Sequence, residues 1–297
     1  MDQRQPPNGG ENRRAGATRR AAGFRLSVFV CVLCGILAVE NRVDADFIET
    51  TLYDGTLQAV TPDNYSPKWL AFGGVGGSQS YDSGTQSTRL VTSDQDQAGY
   101  SNYSMFTGPV NSSFPKLDRT KGYSIGFTLQ ITSESHTRTE RAGFSVIAIS
   151  SDVASGVKSS IEIGFQDGRL FSQNDNPLFG NPVADENLGF DPVGTGFIDY
   201  VLSVRGSNYS LSVGDTVVLA GSLRDYTAAD LPPLLDPYEK PNFIYFGDNT
   251  TSASADINLR KVTVSVATVP EPSSFAILAV GGVLLLVFQK RRRARLV

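Results

Sequence analysis

The sequence predicts an all-β domain, a sandwich or barrel of short strands, across residues 46–267. Three observations carry this. Twelve short segments alternate apolar and polar residues or run apolar with β-branched and aromatic content. Turn-forming residues separate them, as in sandwiches and barrels. No stretch of this region sustains a helical period, although 224–230 is expected to make one short helical turn.

In chain order, 47–53, 68–72 and 88–92 are expected strands with aromatic or β-branched content. The segments 123–131, 143–150 and 160–165 form the apolar middle of the domain. Asp167-Gly168 then separates 160–165 from 169–173, a strong short hairpin signal. Next come 197–204 and 209–213. Gly214-Asp215 joins the latter to 216–220 as a second two-residue hairpin. The last strands are 242–246 and 256–266. Alternation places Phe144, Val146, Ile161, Ile163, Phe165, Tyr200, Leu202, Val204, Leu211, Val213, Phe243, Tyr245 and Val262 on an inner face.

The two ends differ in kind from this region. Arg4, Arg13, Arg14, Arg19, Arg20 and Arg25 precede an apolar run at 26–39, and Val43-Asp44-Ala45 follows. This order predicts an export signal over 1–45, cut after Ala45 to leave Asp46 first. Cys31 and Cys34 fall inside that run, so the mature chain has no cysteine for disulfides, thiol catalysis or metal binding. Segment 46–269 holds 14 basic and 25 acidic residues, a net charge of −11. Such a surface is expected to repel nucleic acid and acidic polysaccharide at low salt and to favour cations.

The far end, 268–297, runs Val269-Pro270-Glu271-Pro272, an apolar span at 275–288, then Lys290, Arg291, Arg292, Arg293 and Arg295. Each proline fixes φ and removes an amide donor, so the Pro-Glu-Pro strip is expected to be extended and open to a peptide-cutting enzyme. The span would cover about 21 Å as a helix. A hydrocarbon core is about 30 Å thick. The fit is that of a temporary membrane hold, with the basic cluster on the cytoplasmic side.

This order of parts resembles the PEP-CTERM sorting tail of bacterial surface proteins. The resemblance implies recognition and cleavage by the membrane-embedded transpeptidase exosortase. The expected course is export through the inner membrane, anchoring by a single transmembrane helix, then release to the cell surface or an extracellular polysaccharide matrix. The runs 141–150, 161–165, 199–204, 209–213, 221–226 and 241–251 together resemble the concanavalin A-like, LamG-type domain. That likeness implies a jelly-roll β-sandwich, flanked here by the signal helix and the transmembrane helix.

Catalysis finds little support in the residues. A glycosidase needs two facing carboxylates. The nearest acidic pair, Glu162 and Asp167, has odd spacing, and Asp167 is explained by its turn. Asp94 and Asp96 read as loop. The one histidine, His136, reads as an exposed loop residue, and no Gly-x-Ser-x-Gly elbow occurs. The domain is therefore expected to be non-enzymatic and to need no cofactor, with calcium as the one metal to consider. Asp248 and Asn249 are its candidate ligands, with Asp152 or the Asp94/Asp96 loop to complete a shell; the alternative is an Asx turn. The competing function is a carbohydrate-binding, lectin-like module, with Trp69, Tyr81, Tyr100 and Tyr103 as its candidate sugar platform. A glycan-active enzyme stands third.

Overall fold

The computed structural model describes residues 46–73, 76–103, 110–194, 196–231 and 236–268. The chain divides into two compact units, Met1–Asp44 and Ala45–Val297. All described residues belong to the second. The predicted signal segment with Ala45 lies outside the described residues. So do Val269 to Pro272, the span 275–288 and the basic cluster from Lys290 to Arg295. Among the described residues no helix is long and apolar enough to cross a membrane.

Fifteen strands form among the described residues. They are β1 (Phe47–Asp54), β2 (Leu70–Gly73), β3 (Ser78–Asp82), β4 (Ser87–Val91), β5 (Ala98–Ser101), β6 (Tyr123–His136), β7 (Ser145–Ile149) and β8 (Ser160–Gln166). The rest are β9 (Arg169–Ser172), β10 (Asp185–Asn187), β11 (Ile198–Arg205), β12 (Asn208–Val213), β13 (Thr216–Ser222), β14 (Phe243–Asp248) and β15 (Ala253–Ala267). A single 3-10 turn covers Pro62–Asn64. The segment 224–230 makes one hydrogen-bonded turn, the Ala229 amide donating to the Tyr226 carbonyl at 3.0 Å, but no helix. Arg224 instead bridges Ser160 through backbone hydrogen bonds, and Asp225 caps the Thr227 amide at 3.0 Å.

Two antiparallel sheets make the sandwich. One has eight strands, in the order β13-β12-β11-β6-β15-β4-β3, with β1 also paired to β15. The other has seven, in the order β10-β9-β8-β7-β14-β5-β2. Both predicted hairpins are present. Gln166 pairs with Arg169 across Asp167-Gly168, and Gly168 has φ +70. Val213 pairs with Thr216 across Gly214-Asp215, with Gly214 at φ +56. These turns need positive φ, which glycine takes without steric cost.

The core lies between the sheets. Phe127 on β6 stacks on Tyr200 of the neighbouring β11, with centroids 5.2 Å apart. Across the layer it meets Phe165 at 6.1 Å and Phe246 at 5.3 Å, both edge-on. Such pairs add about 1 kcal/mol each beyond their buried area. Trp69 closes one end of this core, packing edge-on to Phe114 and donating its indole N–H to the Leu52 carbonyl at 3.0 Å.

Eleven of the thirteen predicted inner-face residues join this core or pack against it. Phe243 and Tyr245 do not. In β14 all six residues are buried, so alternation alone could not choose the face. Ile244 and Phe246 take the inner positions. Phe243 and Tyr245 point the other way, into a second apolar cluster with Ile147, Ile149, Tyr226 and Tyr238. Segments following β9 and β13 supply Phe179, Tyr226 and Tyr238 as a cover over the outer face of the seven-stranded sheet.

Candidate functional site

The cover is incomplete, and it leaves a cleft of about 550 Å³. Leu70 and Phe72 of β2, Ile147 of β7, and Phe243 and Tyr245 of β14 line its sheet side. Phe179, Tyr238, Asp236 and the segment Asn249 to Ser252 enclose it, with Arg138 and Arg141 at one flank. Ring faces are available there: Phe72 is 37% exposed and stacks on Tyr245 at 5.4 Å.

Beside the cleft sits Glu162 of β8, fully buried. Strand alternation sends Ile161 and Ile163 into the interlayer core and Glu162 the other way. Its Oε2 accepts the Tyr238 hydroxyl at 2.7 Å, and its Oε1 accepts the Asn249 amide at 2.8 Å. Asn249 also donates to the Tyr238 oxygen at 3.3 Å. Burial pushes the Glu162 carboxyl up, opposed by these two hydrogen bonds and by the charge of Arg141. Burial likewise holds the Tyr238 phenol far above its ordinary value. Asp236 is raised by burial too, and its Oδ1 accepts the Tyr238 amide at 2.9 Å. Both oxygens of Glu162 and one of Asp236 are thus committed to holding the Tyr238 segment in place.

Arg141 is positioned from below. Gln166 donates to the Arg141 carbonyl, Gln173 donates to the Glu140 carbonyl at 2.8 Å, and Arg169 donates to the Thr139 carbonyl. Neighbouring Arg138 is neutralised by Glu140 at 2.7 Å. The Arg141 guanidinium lies 5.8 Å from the Phe179 ring centre and has no carboxylate partner among the described residues. It is a half-buried cation on the wall of an aromatic cleft.

The residues singled out from sequence divide among different places. Tyr103 and Asn249 line the cleft. Trp69 and Tyr100 are core residues, 3% and 1% exposed, so neither serves as a sugar platform. Tyr81 lies on β3 of the other sheet, its hydroxyl donating to the Gly55 carbonyl at 2.8 Å. His136 ends strand β6 instead of lying in a loop, and its Nδ1 is 3.0 Å from Glu134. Asp167 occupies its hairpin turn, and its amide donates to Glu134 at 2.9 Å.

Asp248 and Asn249 serve different partners. Asp248 Oδ1 accepts the Thr250 amide at 2.9 Å, an Asx turn, while Asn249 faces Glu162. Asp152 is paired with Arg119 at 2.7 Å. Calcium takes six to eight oxygens. No group of three or more acidic or histidine side chains able to hold a metal occurs among the described residues. Sequence reasoning missed Phe72, Phe179, Tyr238 and Arg141 as cleft residues, because they come from four separated segments that only the topology brings together.

Two facing antiparallel sheets, with a partly covered cleft on the outer side of one, define a jelly-roll β-sandwich of the concanavalin A-like layout. A profile described as the PEP-CTERM protein-sorting motif matches residues 268–293. The chain therefore carries an exosortase-directed sorting signal and is an exported protein, anchored at the membrane before sorting. No curated protein matches it in sequence.

Among solved structures, one similar chain is the carbohydrate esterase vb_24B_21 of Shiga toxin-encoding bacteriophage phi24B. It has 12% identity, a TM-score of 0.46, and coverage of 74% of this chain and 100% of that one. A protein with a galectin-like fold from Bacillus subtilis is 11% identical, with TM-score 0.42 and coverage of 75% and 100%. The family 7 alginate lyase A1-II' is 12% identical, with TM-score 0.41 and coverage of 76% and 94%. At that level of likeness the activities of those proteins do not transfer to this chain.

Proposed function

We propose that this chain is a non-catalytic binding protein of the cell surface or extracellular matrix. Its sandwich holds a saccharide in the cleft, and Arg141 favours units that carry a carboxylate. In this reading segment 1–45 is a cleaved signal peptide and 275–288 is the membrane span that holds the precursor. Exosortase then removes that span at Pro270-Glu271-Pro272, releasing the domain toward the polysaccharide outside.

The observation that carries the reading is a guanidinium with no ion-pair partner among the described residues beside the exposed Phe72 ring, a local cation on a domain whose net charge of −11 otherwise repels acidic saccharides. Rings offer the flat apolar surface that a sugar face can cover. A guanidinium offers a carboxylate two parallel donors. Binding is favoured over catalysis because the acids near the cleft are structurally committed: Glu162 to Tyr238 and Asn249, Asp236 to the Tyr238 amide.

Calorimetric titration with galacturonate and galactose oligosaccharides tests this. The acidic series should bind more tightly. Arg141→Gln should weaken it about tenfold, on the order of 1.4 kcal/mol, with no change in melting temperature. Binding of neither series would remove the saccharide reading. Equal binding of both, unaltered in the variant, would remove the role of Arg141.

A further inference from the structure

Both ends of the described domain leave it at one point. Phe47 pairs with Ala267 where β1 meets β15. Beyond that pair the Thr268 amide and hydroxyl both donate to the Asp46 carbonyl, at 2.8 and 2.7 Å. The first residue of the sorting motif's Pro-Glu-Pro, Pro270, follows only two positions later, and the apolar span begins at Phe275. Seven residues reach at most about 25 Å when fully extended. A compact domain of this length has a radius of gyration of about 17 Å. While the span is in the membrane, this end of the sandwich cannot move more than roughly one domain radius from the bilayer.

The surface at that end suits such a position. Phe47 and Ile48 are each 57% exposed, two of the larger apolar side chains left in water. The Ala267 amide donates to the Gly122 carbonyl at 3.2 Å, and Gly122 lies against the stem of Arg205. Arg205 is exposed and has no acidic partner among the described residues. Beside it, Lys121 is paired with Asp118 at 3.4 Å and Arg119 with Asp152 at 2.7 Å. Asp46 and Glu49 are the acids on the β1 side. Apolar side chains on β1 and an unpaired arginine three strands away on β11 share this end of the sheet, and apolar and cationic groups together suit the headgroup region of a bilayer.

We infer that the β1–β15 end of the sandwich is a membrane-contact surface. Phe47 and Ile48 enter the interface and Arg205 meets anionic lipid, so that the folded domain is seated on the bilayer with the cutting site beside it. The occupant is the lipid surface itself, which the shortness of the tether and the two exposed apolar side chains favour over a protein partner.

The test uses the chain without its signal segment, residues 46–297, which holds no cysteine, so that a single new cysteine can carry a nitroxide. Labels are placed at Ile48 and at Leu57, which is 73% exposed beyond the other end of β1. The protein is reconstituted in nanodiscs of phosphatidylcholine with phosphatidylglycerol, without exosortase. The ratio of oxygen to nickel-chelate accessibility should be several-fold higher at Ile48 than at Leu57. Arg205→Glu, or nanodiscs of phosphatidylcholine alone, should lower the Ile48 ratio. An Ile48 label as aqueous as the Leu57 label would overturn the inference and point to a protein partner for this edge. A high ratio indifferent to both changes would overturn the part assigned to Arg205.

Discussion

Asp248→Asn should flatten the pH dependence of stability and make the variant the more stable form above pH 8. Asp248 is fully buried at the end of β14, and its Oδ2 has no hydrogen-bond partner among the described residues. Burial pushes its carboxyl from an ordinary 3.8 up to about 8. Between those values the native state keeps a proton that the unfolded state has lost. Stability from this group is therefore complete below 3.8 and is lost as pH rises toward 8, by about 1.4 kcal/mol per unit. The full loss is on the order of 6 kcal/mol as an upper limit. Asparagine keeps an acceptor for the Thr250 amide and cannot ionise. Glu162 and Asp236 are shifted in the same direction, so part of the slope should remain in the variant. Urea denaturation from pH 5 to pH 9 measures this. Parallel curves for the two proteins would show that Asp248 is not the group responsible.

Gly143→Ala should cost about 3 kcal/mol or more, roughly 10 °C in melting temperature for a domain of this size. A Cβ at Gly143 would lie 2.2 Å from the carbonyl carbon and oxygen of Ser254 and 2.8 Å from the Ala255 nitrogen. These are backbone atoms of β15, which pairs with β6, β4 and β1. No side chain can turn aside to make room, so the segment leading into β7 must move away from β15. Gly194→Ala is the control, since nothing lies within 4 Å of its added carbon. A Gly143→Ala protein that melts with wild type would mean that this contact yields more easily than its packing implies.

How far the sequence could be read depended on how many faces of each strand are buried. Alternation in Tyr200, Leu202 and Val204 marks one apolar face, and all three are core residues. In Phe243 to Phe246 both faces are apolar, so the sequence had no asymmetry to show, and Phe243 and Tyr245 were assigned inward. The strands β3, β5 and β10 escaped notice for a related reason. Ser78 to Asp82 and Asp185 to Asn187 are mostly polar edge strands, and Ala98 to Ser101 is four residues long with Tyr100 as its one large side chain, so none carries an apolar period. The cleft was less legible still. Glu162 drew attention only as half of an acidic pair with Asp167, at a spacing unsuited to catalysis. Its partners lie 76 and 87 residues away in Tyr238 and Asn249, a distance across which spacing says nothing. Arg141 stands out only when the ion pairs around it can be seen.

Delivery outside the cell gives the acidic domain of residues 46–267 the setting in which the proposed saccharide binding would act. The most direct measurement is the mass of the C-terminal peptide of protein recovered from its native cell, for wild type and for Pro270→Ala with Pro272→Ala. Wild type should end within or beside Pro270-Glu271-Pro272, having lost the span and the basic cluster. The double variant should remain in the membrane and end at Val297. A wild-type protein that still ends at Val297, or a double variant processed as wild type, would contradict the account.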